Sequence, residues 1–560
     1  MISMTEAPEE SAAGRKLTTG TFVACVVAAL VAQLGLSMPA VLQGIIQLDL
    51  NPSSTQLTWV SDAFLLPVTL LELTFGVLGD MFGRKRLLTI GSSLMVIGTV
   101  IAFLTPTGGS HGMKFVYLFG GYGLAGVGAA AMFPTSIAML AAGTHTVKAR
   151  SEVFSAWAVA LTVGGFGSPL MGGLLARIHH SGGPDASWRW AFAGLACFAV
   201  ISTIITVLGA TNSSAKEGRA LDIPGQILVG IGVFALVYGV IQGAEGDWTS
   251  ATVIGCFVAA VIFLIAFVLV ERRTEKPLVQ LDLFSNRAFV VTSIVTLLAM
   301  FAYLGTAYAT SIRVSAIQGH SPLFTAIAFI LLNIMGAVLF PVSPFLLQRY
   351  NPGWVLALGA ALIGVGDVAL CLIPSTHDSL WAIAVPLLAV GAGFKTAVTS
   401  ITAVSVNSVP TSKAGMASAM TSMLRDFGLS LGPAIVGAIA LTKSANEIAA
   451  KVAASPHLQQ ALQAFNEAPS HATGAKKAEL EGAVGAVNSG PLGANGVPAP
   501  LNPLKDVAFH ALSNGYALGY LICGIAALVA AVLAAVLIGG REHEERFVST
   551  GPEPVDAAQG

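Results

Sequence analysis

The stretch Gly76-Val77-Leu78-Gly79-Asp80-Met81-Phe82-Gly83-Arg84-Lys85-Arg86 decides the fold. It sets one acid and three consecutive cations in a glycine-punctuated turn between two apolar runs, 57–78 and 87–105. Each run approaches the ~20 residues that a helix needs to cross a hydrocarbon core. So short a basic turn between two such runs belongs to a membrane protein whose basic loops lie in the cytoplasm.

The rest of the 560 residues extends this reading. The chain is 54% hydrophobic and 10% charged, where a soluble domain carries roughly 25% charge. Most side chains must therefore face lipid or protein. A net charge of −1 excludes nucleic-acid binding by bulk attraction. Cys25, Cys197, Cys256, Cys371 and Cys523 all fall inside apolar runs, which fits neither a secreted disulfide framework nor a zinc site.

Fourteen apolar runs are long enough to span: 20–43, 57–78, 87–105, 114–139, 153–176, 188–209, 223–243, 251–270, 288–311, 323–346, 354–373, 380–402, 416–441 and 511–538. The expected fold class is an all-α polytopic membrane protein. An even number of spans puts both termini on one side. Arg15, Lys16, Arg84, Lys85, Arg86, Lys148, Arg150, Lys216, Arg219, Arg272, Arg273, Lys276, Arg287, Arg349, Lys413, Arg541 and Arg546 share that side, against Lys114, Arg177, Arg189 and Arg313 opposite. The positive-inside rule makes the richer side cytoplasmic. Residues 442–509 form a long outer loop rich in Ala, Gly and Pro, either a partly helical spacer or a lid. Residues 1–17 and 541–560 read as polar cytoplasmic tails.

These features resemble the major facilitator superfamily, in its fourteen-helix branch of drug:proton antiporters. Gly76, Asp80, Gly83, Arg84, Lys85 and Arg86 match the superfamily's signature between helices 2 and 3, with Met81 where an Arg usually follows the Asp. The resemblance makes this turn a latch of the inner gate, with Asp80 facing the helix N-terminus near Ala414 and Gly415. Unpaired amides there favour an anion by ~0.3–2 kcal/mol. Gly164, Ser168, Pro169, Gly172 and Gly173 match the antiporter signature of helix 5, with Ser168 replacing its central Gly. Small residues admit close backbone approach, and Pro169 permits a bend. Ser187 to Phe192, Asp222 with Gly225, Glu271 to Arg273, Lys276 to Leu278, Leu281 to Phe284, and Arg425 through Gly428 with Gly432 resemble other stretches of that branch.

The resemblance implies a major facilitator fold, with two six-helix halves (18–209 and 288–540) around two inserted helices (210–287). It implies a monomer in the plasma or inner membrane. Its partners are the bilayer, protons and an amphipathic small molecule or lipid. Two family residues are missing. Leu30 stands where helix 1 carries an Asp, and Tyr122 where helix 4 carries an Arg.

A charge at mid-bilayer costs ~2.5–3.5 kcal/mol, so each one is a functional candidate. Glu72 is a proton carrier, an ion-pair partner of Arg425, or both in turn. Asp62, Asp367 and Asp426 are further coupling candidates with Arg425. Lys395 is a cavity candidate, alternatively paired with Asp367. Tyr122, Met132, Phe133, Phe301 and Tyr303 are candidates for a greasy pocket lining.

Gly121-Tyr122-Gly123-Leu124-Ala125-Gly126 matches the dinucleotide fingerprint in letters only, since no strand precedes it and it lies in a span. With no Walker A sequence and no nucleophile–base or metal-ligand constellation, neither an ATP-driven pump nor an enzyme is expected, and no cofactor. Proton-coupled drug export is the expected function. Export of a lipid or anionic metabolite, and a non-transporting receptor on the same fold, are the alternatives.

Overall fold

The computed structural model describes residues 17–144, 146–214, 221–244, 248–274, 277, 279–339, 342–409 and 414–539. The polar tails apart from residue 17, and the basic residues Lys216, Arg219, Lys276 and Lys413, lie outside these. Thirteen of the described helices are long and apolar enough to cross a membrane, and a shorter apolar helix, Pro322–Val338, makes the fourteenth. The chain is a multi-pass membrane protein.

The first half contains α1 (Thr19–Ser37), α2 (Pro39–Leu50), α3 (Ser54–Phe82), α4 (Arg84–Phe103), α5 (His111–Ala142), α6 (Val147–Leu175) and α7 (Arg189–Gly209). Two helices follow, α8 (Ile223–Gly243) and α9 (Ala251–Glu271), which pack on each other. The second half contains α10 (Arg287–Ser311), α11 (Pro322–Val338), α12 (Val342–Arg349), α13 (Pro352–Leu372), α14 (Leu380–Asn407) and α15 (Ala414–Ala454). It continues with α16 (Pro456–Glu467), α17 (Gly474–Asn488), α18 (Pro491–Gly496) and α19 (Lys505–Ala534). Side-chain caps start many of these helices. Ser53 and Gln56 form a reciprocal capping box at α3, satisfying two of the amides that a helix start leaves unpaired.

The structure departs from the sequence expectation at three places. The first span is broken at Met38–Pro39, because proline has no N–H to continue the ladder. The tenth divides into α11 and α12. Residues 442–509 are largely helical. There α15 runs on to Ala454, and α16 to α18 gather Phe465, Ala483, Ala486, Val487, Ala494 and Val497 into a small cluster against Leu504 and Ala508. The sparse apolar residues of this stretch suffice because α19 completes the cluster.

The halves meet along two seams, α3 against α15 and α6 against α11, and α8 lies along the first of them. We call the end bearing the Arg84–Arg86 turn the basic end, and its opposite the far end. Toward the far end the halves are tied by Thr58 to the Tyr308 hydroxyl at 2.9 Å and by Ser311 Oγ donating to Gln43 Oε1 at 2.9 Å. Along α3, Asp62 to Leu66 are buried, whereas every residue from Leu70 to Leu78 is only half-buried. Gly79 and Asp80, at the basic end of α3, are buried again.

Candidate functional site

The basic turn joins α3 to α4 through Gly83, whose φ of 104° lies in the region that favours glycine. A side chain there would also strike Asn212, whose Oδ1 accepts from Lys85 N at 3.2 Å. Asp80 is buried and accepts from Arg84 Nε at 2.9 Å and from an Arg84 terminal nitrogen at 2.7 Å. The side chains of Ala414 and Gly415, expected to face Asp80, lie outside the described ones.

The first seam carries the charge. Glu72 of α3 and Arg425 and Asp426 of α15 come together where the two halves touch. Arg425 grips Asp426 with two bonds, Nε to Oδ1 at 2.8 Å and a terminal nitrogen to Oδ2 at 3.1 Å. Glu72 lies within hydrogen-bonding reach of the Asp426 carboxyl and within Coulombic range of Arg425. Its Oε2 is buried without a hydrogen-bond partner. One turn closer to the far end, Thr69 Oγ1 donates to the Asp426 carbonyl at 3.1 Å across the seam. The three candidates are thus together, with Arg425 bonded twice to Asp426 and Glu72 beside both.

The other ionisable candidates stand apart from this group. Asp62 is fully buried on α3, with neither carboxylate oxygen hydrogen-bonded. Ten residues separate it from Glu72, about 15 Å at the helical rise. Asp367 is fully buried in the second half and accepts from Thr306 Oγ1 at 2.6 Å, while its Oδ2 has no hydrogen-bond partner. Lys395 is half-buried on α14, beside Phe394. The Phe394 ring stacks on Tyr303 at 3.6 Å, and the Tyr303 hydroxyl donates to Asn333 Oδ1 of α11 at 3.2 Å. Phe133 is half-buried and packs against the main core, in which Phe301 is buried.

Tyr122 and Met132 are not at a seam. Met132 is buried beside Gly91, between α4 and α5. Tyr122 is buried between Phe64 and Phe192, with ring centroids at 5.0 and 5.3 Å. Its hydroxyl donates to the Gly35 carbonyl. The reason is the break in the first span. Pro39 offers no N–H to Gly35, and Met38 N turns to Gly35 O at 3.2 Å, which frees the Leu34 carbonyl. Ser168 Oγ donates to that carbonyl at 2.5 Å. Both departures from the family pattern, Tyr122 and Ser168, therefore supply hydroxyls to carbonyls at the break, where an unpaired one would be costly in lipid.

The small residues of α6 fall into two stripes, whose members recur every four or eight residues. Gly164, Ser168 and Gly172 face α1 and α2, where a Cβ on Gly164 would lie 2.8 Å from Gln33 Cβ. Gly165 and Gly173 face α11, and a Cβ on Gly173 would lie 2.9 Å from Leu323 Cα. The glycines of the fingerprint-like stretch serve packing as well, since a Cβ on Gly121 would lie 2.6 Å from Ala102 N. Among the described residues, no group of three or more His, Cys, Asp or Glu is arranged to hold a metal ion.

The sequence signature of the Major Facilitator Superfamily matches residues 23–433. The chain belongs to this superfamily. It is 28% identical over 408 residues to "Multidrug resistance protein Stp" of Mycobacterium tuberculosis (strain ATCC 25618 / H37Rv), covering 72% of each chain. It is 24% identical over 542 residues to the "Tetracenomycin C resistance and export protein" of Streptomyces glaucescens, covering 96% of this chain and 95% of the relative. A solved bacterial homolog of the human lysosomal transporter Spinster, in its inward-facing and occupied conformation, shares the fold. Its TM-score is 0.58 at 14% identity, over 92% of this chain and 95% of that one. The protein is a membrane transporter of this superfamily and not an enzyme.

Proposed function

We propose that this transporter exchanges protons moving into the cell for an amphipathic, drug-like molecule moving out, by alternating access. The basic end, with both termini, faces the cytoplasm, and the two halves rock as a monomer about the seams. The observation that carries this reading is the Glu72–Asp426–Arg425 group. Two carboxylates and one guanidinium sum to one negative charge, and a single proton makes the group neutral. Neutrality avoids the cost of a net charge at this depth. Two carboxyl groups within hydrogen-bonding reach share a proton readily and repel each other without one. Because Glu72 and Asp426 belong to different halves, rocking brings them together or separates them. Proton loading is thereby tied to conformation, as coupling requires. Asp62 and Asp367, each with an unpartnered oxygen, are secondary proton sites in this scheme.

The relatives named for drug resistance and export support a drug-like cargo. Lys395, half-buried in the α14 span, favours a second reading, export of an anionic amphiphile or lipid, since a cation within a span suits such a molecule. The test is flux in proteoliposomes with and without an imposed pH gradient, for one cationic dye and one anionic amphiphile. Gradient-dependent export of either supports antiport, and its charge selects the cargo. Export of both that ignores the gradient makes the protein a uniporter and removes the coupling role of Glu72.

A further inference from the structure

The coupling group is held from behind by a residue outside both halves. The α8 helix runs antiparallel to α3. Gln226, in its first turn, reaches Leu70 and Thr74, while Phe234 and Tyr238 meet Trp59 with ring centroids at 6.2 and 6.0 Å. Beyond it, the lipid-facing side of α9 exposes Ile254, Val258, Ile262 and Ile265. Gln226 is a polar residue in a helix built mostly of Ile, Leu, Val and Gly. Its Nε2 donates to the Leu70 carbonyl, and its Oε1 accepts from Thr74 Oγ1.

These two contacts bracket Glu72. Leu70 and Thr74 are four residues apart and share one face of α3, whereas Glu72 stands about 160–200° around the axis from both at 100° per residue. Thr69, which donates to Asp426 across the seam, lies within about 60° of Glu72. The glutamine therefore grips the back of the turn whose front presents the carboxyl to α15. Without that grip, the two bonds that fix this turn of α3 against α8 are lost.

We infer that Gln226 is a positioning residue for proton coupling, and that the inserted helix pair α8–α9 is a working part of the coupling device. The inference rests on the Glu72 reading above. The charged groups that face Glu72, among the described residues, are Asp426 and Arg425 of α15. The partners that α8 offers to this turn are uncharged, so its effect is exerted through geometry.

The test needs no knowledge of the cargo. Carboxyl protonation is followed by infrared difference spectroscopy on the full chain in lipid nanodiscs across a pH titration. The Glu72 signal is assigned as the carboxylic-acid band lost in Glu72→Gln. Gln226→Leu should displace the midpoint of that band by about one pH unit. Thr74→Val should move it in the same direction by less, and Thr74→Ser should restore it. Thr74→Val also serves if Gln226→Leu does not yield folded protein. An assigned band whose midpoint is unmoved in the folded Gln226 or Thr74→Val protein overturns this inference and leaves the Glu72 reading standing. If no carboxylic-acid band is lost in Glu72→Gln, the Glu72 reading is overturned, and this inference with it.

Discussion

The two seams between the halves are made of different materials. Along α3 and α15 the contact is ionisable, with Glu72 meeting Asp426 and Arg425. Along α6 and α11 it is steric, with Gly165 against Asn333 and Gly173 against the backbone of Leu323. Glycines let backbones approach closely in lipid, where no hydrophobic force drives helices together. Such a seam has one best packing and does not respond to pH. The ionisable seam changes its net charge with one proton. One interface is suited to be the switch and the other the bearing.

The largest blow to that contrast is Glu72→Gln. It should abolish gradient-driven export in proteoliposomes while equilibrium binding of the cargo stays measurable. Export that still follows the gradient would move the switch to Asp62 or Asp367. The partner comes next. Asp426→Asn leaves Arg425 without its two-bond acceptor. Removing one member of a buried pair costs roughly 3–5 kcal/mol, and the Arg425 side chain is 33% exposed, so water offsets part of this. A loss of about 1–3 kcal/mol, read as a lower unfolding midpoint in detergent, is expected together with lost coupling. An unchanged midpoint would show that the pair contributes charge balance alone.

The steric seam is tested by two neighbouring glycines. Gly173→Leu meets the backbone of Leu323, which cannot move aside, so overpacking should cost about 1–3 kcal/mol and reduce transport roughly tenfold. Gly172→Leu meets Met38 Sδ and Val41 Cγ2, both at 3.0 Å from a built Cβ. These side chains can shift, so its effect should be smaller in the same flux assay. Equal effects would mean that the α6–α11 seam is no more rigid than the contact of α6 with α2. The smallest effect is expected away from both seams. Asp80→Asn weakens the bonds to Arg84 by on the order of 1 kcal/mol and should lower transport several-fold with normal expression. Full transport by this variant would confine conformational control to the seams.

Much of the fold was legible before any coordinates. Hydropathy is a property of a stretch of chain, and the bilayer demands a minimum length of it, so counting apolar residues locates the spans. The short basic turn at 76–86 and the small residues of 164–173 were equally local, and the close helix contact expected of the latter is present. The helices of 456–496 were harder to see. Their apolar residues are too few to announce helices, and the cluster they form draws on Leu504 and on Ala508 of α19.

The candidate site divides in the same way. That Glu72, Arg425 and Asp426 are costly in a membrane followed from the sequence alone. That Arg425 bonds twice to Asp426, with Glu72 beside them, did not, because the rotation of α3 against α15 is decided by packing along their whole length. Tyr122 and Ser168 read as substitutions in family motifs. Only the tertiary structure brings their hydroxyls, from two helices, to the carbonyls of Gly35 and Leu34 at the break before Pro39. Gln226 gave no local signal at all, since a glutamine near a helix start is unremarkable until its two partners on another helix are known. The sequence by itself determined how many helices cross and which of them bear charge, because the bilayer tests each segment separately. Which charges meet was decided only when those helices packed, because facing depends on the rotation and spacing that all of them set together.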